Sequence, residues 1–259
     1  MCFDTDSLPP VDADSSTGER RERLILTSTD GARFAAFQAC PQRPTDAGVV
    51  VLPDARGLHR FYEELAARLA DKGHNAVAID YFGRTAGTEE RGEDFPYMEH
   101  VARTTRATFQ ADVAAAVSHL RSPVGGRCRA ILTLGFCLGG RLSFLAAAFE
   151  QRLAGVIGFY GFPGMGGPYR DAGPTQLAHQ MTAPVLALMG GADHGIPPSE
   201  VEAFDTALTA AGVEHEVVVY PGAPHSFFDV KHEEFADASA DAWQRVLEFL
   251  ARHSDRAGR

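Results

Sequence analysis

Hydrophobic positions along the chain fall into short unbroken runs separated by longer periodic stretches. Val49-Val50-Val51-Leu52-Pro53 is a continuous apolar run rich in β-branched side chains, the pattern of a strand covered on both faces of a parallel sheet. Comparable runs occupy residues 76–79, 130–134, 155–160, 185–189 and 216–220. Between or after them, residues 60–72, 101–121, 138–149, 198–211 and 234–253 read as helices. The first of these carries Phe61, Leu65 and Leu69 on one face and stops at Gly73, as helices with a C-terminal glycine do. Two short alternating stretches, 24–28 and 34–39, flank Thr29-Asp30-Gly31-Ala32 and predict a hairpin. Residues 1–23 are polar, with prolines and mixed charges, and read as an N-terminal arm ahead of a single domain, 24–259.

Strands that alternate with helices predict an α/β fold: a mainly parallel sheet with helices on both faces, an antiparallel hairpin at its edge, and a site at the carboxyl ends of the strands. The Gly/Pro-rich segment 161–174 and the polar segment 85–100 read as loops at that same edge. At 259 residues, 45% hydrophobic and 22% charged, the chain can bury a sizeable core as one unit. A formal net charge of −10 argues against nucleic acid or an anionic membrane as partner and favours a small molecule. No segment reaches the roughly eighteen apolar residues of a membrane span. Residues 1–10 carry acids and prolines in place of a basic and apolar leader, so the expected location is the cytoplasm. Cys2, Cys40, Cys128 and Cys137 lack CxxC spacing, which suggests neither a zinc site nor a disulfide framework.

The strongest chemical signal is Gly135-Phe136-Cys137-Leu138-Gly139-Gly140, between a predicted strand and a predicted helix. A sharp strand-to-helix turn needs small neighbours, and it lifts its central residue above the sheet at a helix N-terminus, where a thiolate is favoured. The next backbone N–H, from Leu138, is then aimed at a developing oxyanion. Taken alone, Cys137 reads equally well as a small core residue, and a nucleotide-binding turn lacks the required glycine spacing. Chain order separates these readings. Asp193 follows the strand at 185–189, His225 follows the strand ending at Tyr220, and nucleophile, acid, histidine is the order of a hydrolase.

With the Gly-Ala-Asp segment, Pro224-His225-Ser226-Phe227 and Asp80-Tyr81-Phe82-Gly83-Arg84, the chain resembles the dienelactone hydrolases, a family of the α/β-hydrolase fold with cysteine in the elbow. The likeness runs from about Leu24 to Phe249. It implies a Cys137, Asp193, His225 triad, and a carboxylate at Asp54, where the family has glutamate, that helps ionise the thiol. It also implies an oxyanion hole formed by the N–H groups of Leu138 and Ala55. Dienelactone is held through its carboxylate by two arginines in this family. Arg84 matches the first, while the second position holds Asp229, with Arg56 as an alternative cation or else a partner of Glu63 or Glu64.

These readings predict hydrolysis of an ester or lactone through a cysteine acyl-enzyme, with no cofactor or metal required. The expected substrate is other than small anionic dienelactone, either bulkier or neutral. An acyl transferase, a lyase or cyclase on the same site, and a non-catalytic binding module are the competing readings.

Overall fold

The protein is described by a computed structural model covering residues 7–12, 20–92, 94–166, 172–229 and 233–254. Eight strands form one sheet: β1 (Arg20–Thr27), β2 (Arg33–Cys40), β3 (Ala47–Leu52), β4 (Asn75–Ile79), β5 (Ala130–Phe136), β6 (Gly155–Phe159), β7 (Val185–Gly190) and β8 (His215–Tyr220). Their order across the sheet is β1-β2-β4-β3-β5-β6-β7-β8. β2 pairs antiparallel with β1 and with β4, and the remaining pairs are parallel. The hairpin therefore sits at one edge of a parallel sheet, as the alternation of the first two strands predicts.

Strands β3 to β7 are buried at every position, which is why they read as unbroken apolar runs. Helices cover both faces. A side chain at Gly155 of β6 would meet Phe249, and one at Gly158 would meet Phe144. Those two positions differ by an odd number, so they face opposite sides of the strand. Phe249 belongs to the C-terminal helix Ala236–Ser254, and Phe144 to the helix Leu138–Ala146 that leaves β5.

Two boundaries differ from the sequence pattern. β1 starts at Arg20, so residues 20–23 are strand and not arm. Arg20-Arg21-Glu22-Arg23 hide it because an edge strand exposed along most of its length carries charges that discourage further pairing. Of the arm, residues 1–6 and 13–19 lie outside the described residues; Pro9 is buried, and Val11 O accepts a hydrogen bond from Arg68 Nε at 3.0 Å. The helix expected over 101–121 is two helices, Tyr97–Val101 and Arg106–Arg121. Thr105 restarts the second by accepting the N–H of Thr108, whose hydroxyl accepts the N–H of Thr105 in return.

His59 precedes the helix Arg60–Asp71, buried with its ring edge-on to Tyr62. Burial, and secondly the positive charge of Arg56, push its imidazole from 6.5 down to about 3. Below the unfolded value the unfolded chain gains a proton at His59 that the folded chain refuses, so stability is lost as pH falls from 6.5 toward 3. His59→Phe should therefore lose less stability than wild type on going from about pH 7 to about pH 4.5. Urea denaturation at both pH values measures this, and equal losses in the two proteins would contradict it.

Candidate active site

The chain turns from β5 into its following helix at Cys137, which has φ 54° and ψ −112°. A non-glycine residue held there costs on the order of 1–3 kcal/mol and persists only where its surroundings fix it. The surroundings are rigid. Cys137 N–H donates to Phe159 O of β6 at 3.0 Å, and Cys137 O accepts from Arg141 N–H at 3.1 Å. The flanking glycines supply room, while the left-handed φ falls on the cysteine itself. A Cβ on Gly135 would lie 2.0 Å from Gly139 O, and one on Gly139 would lie 2.1 Å from Leu52 O and 2.3 Å from Pro53 O. This close seating brings the first turn of the buried helix Leu138–Ala146 against the end of β3.

The loop after β3 is tied down by its own polar groups. Asp54 is fully buried, and its Oδ1 accepts Arg56 N–H at 2.8 Å. Asp54 N–H donates to the Tyr62 hydroxyl at 2.9 Å, and the Tyr81 hydroxyl lies within hydrogen-bond distance of the carbonyls of Pro53 and Asp54. The result is a fixed Asx-type turn that presents Ala55 to the cavity holding Cys137. Asp54 and Arg56 are not among the residues lining that cavity.

Asp193 and His225 come from the loops after β7 and β8. Backbone bonds join these loops, Gly191 N–H to Tyr220 O at 2.8 Å and Ala192 N–H to Ala223 O at 2.9 Å. Asp193 Oδ2 lies 2.6 Å from His225 Nδ1, and its Oδ1 accepts Gly195 N–H at 2.8 Å. The Asp193 side chain is 1% exposed and that of His225 is 34% exposed, so the acid is buried while the imidazole reaches the cavity. Tyr160, which follows β6, packs its ring on His225 with centroids 4.9 Å apart. Its hydroxyl donates to Asp229 Oδ2 at 2.7 Å. Tyr160 was not legible as a site residue in the sequence, although its place just after a strand was the available signal.

A cavity of about 270 Å³ joins these parts, lined by Cys137, His225, Ala55 and Leu138 together with Met98, Val101, Tyr160, Phe162 and Ile196. Arg141 also borders it, but its guanidinium donates to the carbonyls of Phe162, Gly164 and Gly166 at 2.7–2.9 Å. Arg84, expected to hold a substrate carboxylate, is outside the lining. It pairs with Asp30 and makes a forked contact with Asp112 at 2.8 and 3.2 Å. Asp229, expected to face the substrate, is 1% exposed beneath Tyr160, because the turn from Ser226, with φ 63°, curls it inward. Glu63 pairs with Arg23, and Glu64 with Arg21 and Arg68. A larger cleft of about 510 Å³ lies over β1 and β2 with a strongly charged lining, and contains none of Cys137, Asp193 or His225. Among the described residues, no group of three or more His, Cys, Asp or Glu side chains is placed to hold a metal ion.

The sheet, its covering helices and this strand-end site define an α/β-hydrolase. Residues 34–254 match the profile of the Dienelactone hydrolase family. A protein of Salmonella typhimurium named as a candidate carboxymethylenebutenolidase is 33% identical over 257 residues, covering 97% of this chain and 94% of that protein. The carboxymethylenebutenolidase of Rhodococcus opacus is 29% identical over 259 residues, covering 98% and 97%. A crystal structure from Klebsiella pneumoniae, named as a candidate dienelactone hydrolase, superposes with a TM-score of 0.76 at 29% identity, over 90% of this chain and 99% of that one. The chain belongs to the dienelactone hydrolase family, and by that membership is a hydrolase of the lactone and ester class. No helix among the described residues is long and apolar enough to cross a membrane.

Gly139→Ala tests the close seating of the turn. Its Cβ would fall at 2.1 Å from Leu52 O, so either the β3 end or the helix has to move, at a cost of about 1–3 kcal/mol or more. A urea unfolding curve indistinguishable from wild type would contradict the packing described here.

Proposed function

We propose that the protein hydrolyses a carboxylic ester or lactone by way of a thioester at Cys137. The observation that carries this reading is the pairing of a cysteine strained at a helix N-terminus with an imidazole in the same cavity, itself oriented by a buried carboxylate. The Cys137 thiolate attacks the carbonyl carbon, and the N–H groups of Leu138 and Ala55, the first helical residue and the residue after Asp54, stabilise the oxyanion. The alkoxide or enolate leaves with the proton that the thiol gave up, and the acyl group stays on sulfur as a thioester.

His225 then takes a proton from water at Nε2, while Asp193 holds Nδ1 and stabilises the imidazolium; the hydroxide attacks the thioester and releases acid and thiol. Asp54 enters this scheme as a positioning residue. Its carboxylate accepts Arg56 N–H and thereby fixes the direction of the Ala55 N–H. The one-third exposure of His225 favours hydrolysis over transfer, because water has direct access to the base.

Aryl esters, thioesters and unsaturated lactones tested against wild type, Cys137→Ala and Cys137→Ser examine reaction class and nucleophile together. Wild type should turn over at least one class, Cys137→Ala should fall by about 10³-fold or more, and Cys137→Ser should retain little, since a hydroxyl is the weaker nucleophile here. Wild-type rates in the alanine variant would overturn the reading.

A further inference from the structure

We infer that the site selects a compact, uncharged apolar acyl or lactone group and discriminates against substrates bearing a carboxylate; this rests on the reading of Cys137 as nucleophile. Three observations converge. The first is the wall. Met98, Val101, Leu138, Phe162 and Ile196 line the cavity that holds Cys137 with hydrocarbon and an aromatic ring. A carboxylate pressed against such a surface gives up its water without a replacement.

The second is the accounting of charge. Arg141 is the cationic side chain among the described residues that lines the cavity, and its guanidinium is taken up by three backbone carbonyls and the face of Phe162, 5.6 Å away. Arg84, on the one-turn helix Gly83–Ala86, is drawn away by the buried carboxylate of Asp112. Asp229 is removed from the cavity as well, so no described acid takes the place of the missing cation. Among the described residues, the site therefore offers a substrate shape and apolar contact instead of an ion pair.

The third is that the wall is built and small. Met98 and Val101 lie on the short helix Tyr97–Val101. The segment leading into it is anchored by the buried ion pair of Arg91 with Asp80, by the Arg91 guanidinium 4.8 Å from the centre of the Phe95 ring, and by Phe95 stacked on His100 at 4.7 Å. His100 Nδ1 in turn lies 2.8 Å from the Thr85 hydroxyl. These contacts hold the helix Tyr97–Val101 as a fixed side of the pocket. A volume of about 270 Å³ is at or below the lower end of small-molecule sites, roughly 300 Å³, which selects the neutral and compact alternative over the bulkier one. Residues 167–171 of the neighbouring loop lie outside the described residues.

The test compares two activated esters of similar acyl length, p-nitrophenyl pentanoate and p-nitrophenyl hemisuccinate, with wild type, Met98→Arg and Cys137→Ala. Wild-type kcat/KM should favour the neutral ester by about 30-fold or more, and Met98→Arg, which adds a cation to the exposed rim of the wall, should shift the ratio toward the anion by about 10-fold. Cys137→Ala should be inactive on both. Equal or better use of the hemisuccinate by wild type, with activity still dependent on Cys137, overturns the substrate inference and leaves the nucleophile standing. A neutral preference that Met98→Arg does not alter overturns the assignment of that preference to this wall. Full activity in Cys137→Ala, or no turnover of either ester together with no acyl mass on wild-type Cys137, overturns the catalytic reading and the inference with it.

Discussion

The end of β5 has to become the start of a helix across a single residue, and that residue is not glycine. Cys137 takes the left-handed φ of 54°, and nearby backbone carbonyls come so close that Gly135 and Gly139 leave no space for a Cβ. The unfavourable torsion is balanced by contacts on three sides: β3 through Leu52 and Pro53, β6 through Phe159 O, and the helix through Arg141 N–H. Release any one of them and the cysteine has no reason to stay in that conformation.

The remaining parts converge because of strand order. β5, β6, β7 and β8 are neighbours in the sheet, so the residues that follow them, Cys137, Tyr160, Asp193 and His225, emerge along one edge. Parallel strands lie about 4.8 Å apart, which leaves roughly three spacings, on the order of 14 Å, for the β8 loop to close. It does so by curling back over β7, fastened by the bonds from Gly191 and Ala192 and by the Asp193–His225 contact. Tyr160 fills the space beneath the imidazole, with its hydroxyl satisfied by a buried Asp229. Without a partner of this kind, a buried tyrosine hydroxyl would cost about 1–3 kcal/mol.

Features governed by local chemistry were legible in the sequence. The apolar runs of β3 to β7, the glycine-flanked turn at Cys137 and the placement of Asp193 and His225 past their strands each depend on a few neighbouring residues. What stayed hidden depends on distant ones. Arg84 keeps its motif position, yet its direction is decided by Asp30 and Asp112, residues far away in the chain that meet only after the sheet and the helix Arg106–Arg121 have packed. The break before that helix was concealed because its capping residue pairs with Thr108, where the recognisable pattern has Glu or Gln. The charges of Arg20 to Arg23 masked the start of β1 for the opposite reason: an edge has little to bury.

The proposed division of labour between sulfur and imidazole is tested most directly by intact-mass analysis of His225→Ala after mixing with an activated aryl ester. If Cys137 forms the acyl-enzyme and His225 chiefly activates water, the variant should lose turnover and accumulate one acyl group, which peptide mapping locates on Cys137. A variant that turns over as fast as wild type, or an acyl group that maps to a residue other than Cys137, would contradict it.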